Sequence, residues 1–157
     1  MSIRRAESRD IPDILNLLVQ VCMVHHEGRP DLFKGPATKF TADELTEMLK
    51  DDNRPIFVLT DETDTHVLGH CFCEVMQRPE NHVLTGIRTL HIHDLCVDEN
   101  VRGQHVGKYL YDYAAAYARS LGCYNVTLNV WACNPGAMRF YEHMGMQVQK
   151  LTMESIL

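Results

Sequence analysis

Apolar residues recur along this chain with two periods, and the switches between them predict the elements in order. Ile3 to Ala6 is short and reads as an edge strand. Ile11, Ile14, Leu15, Leu18, Val21 and Cys22 fall at helical spacing, with Ser8 as candidate N-cap and Pro12 in the first turn. His25 and His26 close that helix as a surface or loop pair. Gly28, Pro30, Gly35 and Pro36 then mark residues 27–39 as loop. Thr41 and Glu44 have capping-box spacing and open a second helix that ends near Lys50. Pro55 to Thr60 and His66 to Met76 are strands joined by a turn at Asp61–Asp64, which predicts a hairpin. Residues 79–86 are polar and loop-like, and Ile87 to Val97 is a long strand.

After Val97 the period changes. A turn containing Arg102, Gly103, Gln104, His105, Gly107 and Lys108 leads into a helix with Val106, Leu110, Ala114, Tyr117 and Leu121 on one face. Gly122 stops that helix, and Val126 to Val130 is the next strand. The unit over 87–130 is therefore β–turn–α–β, with parallel strands and a right-handed crossover. Asn134 and Pro135 suit the N-cap and N1 positions of a last helix reaching Glu142, and Met146 to Ile156 closes the chain as a strand. The order β-α-α-β-β-β-α-β-α-β predicts an α/β (α+β) fold, a mixed sheet flanked by helices, with residues 1–157 forming one domain.

Composition narrows the function. At 45% hydrophobic and 23% charged, the 157 residues are ordinary for a water-soluble globular protein. A formal charge of −6 opposes a broad electrostatic grip on nucleic acid and suits a cationic small molecule. No apolar leader follows Met1, and Ile14 to Val24 is too short to cross a bilayer. Six cysteines in or beside apolar runs read as reduced core thiols, which points to a cytoplasmic protein with no membrane partner.

The turn at 102–108 carries the chemistry. A strand that ends in a glycine-containing turn before a helix can aim several free N–H groups, and the helix dipole, at one phosphate. The stretch Arg102 to Gly107 resembles the Arg/Gln-x-x-Gly-x-Gly/Ala signature of the GNAT superfamily of N-acetyltransferases. Asn134, Ala137, Tyr141 and Gly145 resemble that family's Asn-x-x-Ala-x-x-x-Tyr-x-x-x-Gly stretch, and the element order matches its acyl-CoA N-acyltransferase fold. One position departs: His105 stands where the family's first signature glycine would be. A Cβ there crowds the turn, while the ring offers an extra N–H donor.

The resemblance implies acetyl-CoA as co-substrate. Its diphosphate would lie on the backbone amides of Arg102, Gly103, Gln104, His105, Val106, Gly107 and Lys108, with side-chain charge from Arg102 and Lys108. Its pantetheine would enter a splay between the parallel strands and pair with the backbone around Leu95, Cys96 and Val97, with Asn134 and Ala137 nearby. Tyr141 matches the family's thiolate-protonating tyrosine.

For the base, alternation puts His91 and His93 on one strand face with Leu95 and Val97, and Asp94 on the other, where it is a structural or acceptor-side residue. Imidazole has a suitable pKa for taking a proton near neutrality. Many family members carry a glutamate at the position of His93, and the arylalkylamine N-acetyltransferases resemble this strand locally through a His-x-His pair. A zinc site is the competing use of the two histidines, but no further ligand pattern accompanies them. Phe33, with Asp31 and the His25–Glu27 corner, is an acceptor-side candidate. The expected activity is acetyl transfer to a primary amine of a small cationic acceptor. The alternatives are an acyl-CoA-binding sensor and a protein or peptide N-acetyltransferase. A homodimer is compatible with such a fold.

Overall fold

Five strands and four helices alternate in the computed structural model, which describes residues 1–157. They are β1 (Ser2–Arg5), α1 (Ile11–Gly28), α2 (Ala42–Met48), β2 (Ile56–Thr60), β3 (Val67–Gln77), β4 (Arg88–Val97), α3 (Val106–Ser120), β5 (Asn125–Leu128) and α4 (Pro135–His143). The strands form one sheet in the order β1-β2-β3-β4-β5. Neighbours are antiparallel except β4 and β5, which are parallel as the intervening helix requires. No helix is long and apolar enough to cross a membrane.

The helix starts follow from their caps. Thr41 and Glu44 exchange reciprocal side-chain bonds of 3.2 and 2.8 Å at the start of α2. Ser8 does not cap α1. It lies in a 3-10 turn, Ser8–Asp10, where the Asp10 carboxylate accepts the Glu7 N–H at 2.7 Å and the Arg4 guanidinium at 2.7 Å.

Two apolar layers sandwich the sheet. On one face Ile14, Leu17, Leu18 and Leu45 of α1 and α2 pack on Ile56, Val58 and Phe72. On the other, Val106, Leu110, Ala114 and Ala118 of α3 pack on Phe57, Leu59, Cys71, Leu90 and Ile92. Each fully buried leucine contributes about 1.5–3 kcal/mol. The small α3 residues let the helix approach closely, and Gly69 completes the fit. A Cβ at Gly69 would stand 2.9 Å from the Cys96 carbonyl oxygen and 3.0 Å from both Leu110 and Val106.

Two features depart from the sequence expectation. First, the β3–β4 register shifts between Phe72, which faces Asp94, and Cys73, which faces Ile92. His93 is the extra residue of a β-bulge, so the alternation of β4 breaks there. His91, His93, Asp94 and Cys96 all turn to the α1 face, whereas Leu95 and Val97 join the α3 layer. Asp94 is thus on the histidine side, not the opposite one.

Second, Met146 to Ile156 forms no strand. Residues 147–157 make no backbone hydrogen bond within the chain, so the segment has no sheet neighbour. β5 also ends at Leu128 instead of Val130, because its last pairing with β4 is Leu128 opposite Ile92.

Candidate functional site

The turn before α3 presents an unsatisfied backbone. Gly103 has a φ of 84° and His105 a φ of 62°. The N–H groups of Gly103, His105, Val106, Gly107 and Lys108 appear in no backbone–backbone hydrogen bond, and His105 caps nothing with its ring. These donors surround the N-terminus of a 15-residue helix, an arrangement that suits an anionic oxygen cluster. Arg102, Gly103, Gln104 and His105 are solvent-exposed, and the Lys108 ammonium lies 2.5 Å from Asp112. A Cβ at Gly107 would stand 3.4 Å from the Phe140 ring and 3.5 Å from Val97, so α4 and β4 both close on this turn.

His105 confirms the irregularity read from the sequence: a side chain occupies a left-handed backbone position. A non-glycine residue there costs about 1–2 kcal/mol. Glycine's extra unfolded-chain entropy returns about 0.5–1 kcal/mol of that. His105→Gly should therefore raise the melting temperature by about 2 °C, read by thermal denaturation.

Beyond Ile92 and Leu128 the two parallel strands part with no further register pairs. Leu95 and Val97 line the start of this gap on the α3 side. Cys96 does not turn into it: its thiol packs in the α1 layer, 3.4 Å from the Leu17 carbonyl, and burial pushes its pKa up to about 12. Asn134 caps α4 by accepting the Ala137 N–H at 3.2 Å, which leaves its amide N–H₂ available. Tyr141, two turns along α4 from Asn134, is half-buried. Burial first, then Cys71, Asp94 and Cys96, raise its phenol pKa, so it keeps its proton well above neutrality.

The α1 face of β4 holds a set of paired groups. His93 Nε2 bonds Glu74 Oε2 at 2.6 Å, and its ring stands edge to face with His91 at 4.7 Å. His91 Nδ1 bonds Thr127 Oγ1 of β5 at 2.8 Å. Asp94 Oδ2 bonds Nε2 of His70 at 2.5 Å; His70 is fully buried and its Nδ1 has no partner.

Above this face stand three rings. Phe33 lies 5.0 Å from His25 and 4.8 Å from Trp131, the latter edge to face. His25 and His26 are not a surface pair: both are half-buried in the last turn of α1, and His26 Nδ1 bonds the Phe33 carbonyl at 2.7 Å, which ties the following loop to the helix. Gly28 packs on Cys133, bringing the end of α1 against the loop that carries Trp131.

Burial depresses the pKa of both His25 and His91, and the neighbouring His93 lowers His91 further. Their neutral forms are favoured in the fold, so their contribution to stability is complete above the ordinary imidazole value of 6.5 and is lost as pH falls through the lower folded values. The melting temperature should decline between about pH 6.5 and pH 5, and a His25→Asn/His91→Asn double variant should flatten that decline.

Residues 22–146 match the model of the acetyltransferase (GNAT) family. The chain belongs to the GNAT acetyltransferase family. A tetramutant of the BH1408 protein from Bacillus halodurans superposes with a TM-score of 0.94 at 28% identity, covering 100% of both chains. Glucosamine-6-phosphate N-acetyltransferase from Arabidopsis thaliana superposes with a TM-score of 0.72 at 23% identity, over 99% of this chain and 97% of that one, which shows the shared fold. In sequence, the glucosamine 6-phosphate N-acetyltransferase of Arabidopsis thaliana is 35% identical over 63 residues, a match that spans 40% of this chain and 40% of that enzyme.

Within this GNAT domain the structure brings together most of the residues that the sequence singled out. His91 and His93 share the face that Asp94 also occupies, and the Asp94 charge helps to raise the Tyr141 phenol pKa. Phe33 stands with His25 and Trp131. Sequence reasoning missed Glu74, His70 and Trp131. Glu74 and His70 lie on β3 two residues to either side of Phe72, and that spacing could have placed them on one strand face. Trp131 carried no such signal, because it follows β5 in an irregular segment.

Proposed function

We propose that this protein transfers the acetyl group of acetyl-CoA directly to the primary amine of a small acceptor that is cationic at neutral pH. The observation that carries the reading is the convergence of free amides at Gly103 and residues 105–108, the parting of β4 and β5, and a half-buried, protonated Tyr141. Acetyl-CoA supplies the activated thioester carbonyl. The amides of the turn suit its diphosphate, and the open edges of β4 near Leu95 and Val97 suit an extended amide-containing arm.

His93 is the base in this reading. Glu74 holds its Nε2 side, so Nδ1 is free to take a proton from the acceptor ammonium, and the neutral amine nitrogen then bonds the carbonyl carbon. The carbon–sulfur bond breaks, Tyr141 gives its proton to the departing sulfur, and the second proton leaving the nitrogen refills the Tyr141 phenolate. His91, neutral and held by Thr127, packs against the base. Asp94 offers a carboxylate to the incoming ammonium, and the rings of Phe33 and Trp131 suit a cationic body.

The alternative, an acyl-CoA-binding sensor without turnover, leaves the paired His93 and Glu74 and the protonated Tyr141 without a task. The test is thiol release from acetyl-CoA across a panel of small amines, with mass spectrometry of the product. Release with an acetylated amine supports the enzyme; tight acetyl-CoA binding with no release across the panel overturns it.

A further inference from the structure

The most deeply buried polar side chain belongs to His70 of β3, and it takes no part in proton transfer at His93 or Tyr141. Its ring stands edge to face with Phe72 at 4.9 Å, and Phe72 stacks on Phe40 at 5.7 Å, so the imidazole lies within the α1 apolar layer. A polar ring in such a layer is costly unless it is hydrogen-bonded. His70 makes one side-chain hydrogen bond, from Nε2 to Asp94 Oδ2 at 2.5 Å, and its buried Nδ1 has no partner.

The unpartnered atom decides the tautomer. A proton on Nδ1 would leave a donor of a charged ring buried without an acceptor, whereas a lone pair there leaves only a weak acceptor unmet. His70 therefore carries its single proton on Nε2 and donates it to a carboxylate that keeps its full charge. The other oxygen, Asp94 Oδ1, makes no hydrogen bond and is not among the buried unpartnered atoms; the side chain is 13% exposed, so Oδ1 reaches solvent on the acceptor side.

The bulge puts this oxygen where it can act. In a regular strand successive side chains point to opposite faces, but the extra residue sets His93 and Asp94 side by side on one face. The Asp94 charge also reaches both ends of the site. It counters the burial that depresses His25 on α1 and adds to the burial that raises Tyr141 on α4.

We infer that His70 is the positioning residue of an ammonium anchor: it holds Asp94 Oδ2, aims Oδ1 at the incoming acceptor, and so makes the site select amines that arrive protonated. The order of events rests on the acetyl-transfer reading, in which the ammonium docks on Asp94 and then loses a proton to His93. The anchor itself binds without turnover.

The unaltered full chain, labelled with nitrogen-15 at histidine, tests the anchor directly. The His70 Nε2–H resonance, assigned by its loss in His70→Gln, should move on titration with ethylammonium chloride and stay in place with sodium chloride or ethanol. A missing resonance, or one that moves equally with all three, overturns the anchor whether or not acetyl-CoA is turned over. Kinetics test the positioning role with the amine that releases most thiol. His70→Leu should raise KM for the amine about tenfold, the worth of a charge-assisted hydrogen bond. Its kcat and its Kd for acetyl-CoA should change by less than about threefold. His70→Gln, whose side-chain N–H₂ reaches the place of Nε2, should recover most of the loss. In an Asp94→Asn background His70→Leu should add less than about twofold. Equal losses in the two His70 variants, or an undiminished loss in the Asp94→Asn background, overturn the positioning role. Absence of thiol release from the unaltered protein with every amine sinks the acetyl-transfer reading alone, and the resonance still decides the anchor, as it does if His70→Leu fails to fold.

Discussion

Replacing Tyr141 by phenylalanine should lower kcat for acetyl transfer by about 10²–10⁴-fold, the range associated with losing a positioned proton donor. Only the phenol hydroxyl is removed, and the ring keeps its place beside Phe140 and Tyr111. Binding of acetyl-CoA, read by calorimetry, should therefore change by less than about threefold, because the interaction lost belongs to the transition state. The setting that raises the pKa of Tyr141 keeps its phenol protonated at neutral pH, the state a proton donor needs. An unchanged kcat in Tyr141→Phe would remove this residue from the chemistry.

The second large effect is expected at the imidazole of the bulge. His93→Ala should reduce kcat/KM by about 10²–10³-fold, and Glu74→Gln by about tenfold, because the amide still bonds Nε2 but no longer carries charge. The double variant should be little worse than His93→Ala alone, since Glu74 acts through the ring. The pH profile separates this role from a structural one. Loss of the base should abolish the acid limb of kcat/KM, whereas a packing defect would lower the whole curve. Additive losses in the double variant would show that the two residues act independently.

Much of the site was legible because it is written in local patterns. The turn at 102–108, the Asn134 cap and Tyr141 two turns beyond it depend on short-range geometry, and the sequence states that geometry directly. The helices likewise announce themselves through caps and apolar spacing, as the Thr41–Glu44 pair shows. What escaped depends on partners far along the chain. The bulge at His93 exists only relative to β3, so alternation alone put Asp94 on the wrong face. The link from His70 to Asp94 spans 24 residues and that from Glu74 to His93 spans 19, which no periodicity reports. The closing strand expected over 146–156 is absent, because a strand exists only with a hydrogen-bonded neighbour and apolar content alone does not provide one.

The bulge also governs how this strand tolerates change. Deleting His93 would restore an unbroken ladder between β3 and β4, a local gain in hydrogen bonding. Residues 94–97 would keep their faces, because His93 and Asp94 already point the same way and the rest alternate regularly: Ile92, Leu95 and Val97 toward α3, Asp94 and Cys96 toward α1. Asp94 would still meet His70, and neither apolar layer would lose a member. The bulge is thus an insertion that the sheet absorbs at one rung, adding one side chain to the α1 face without reassigning any other.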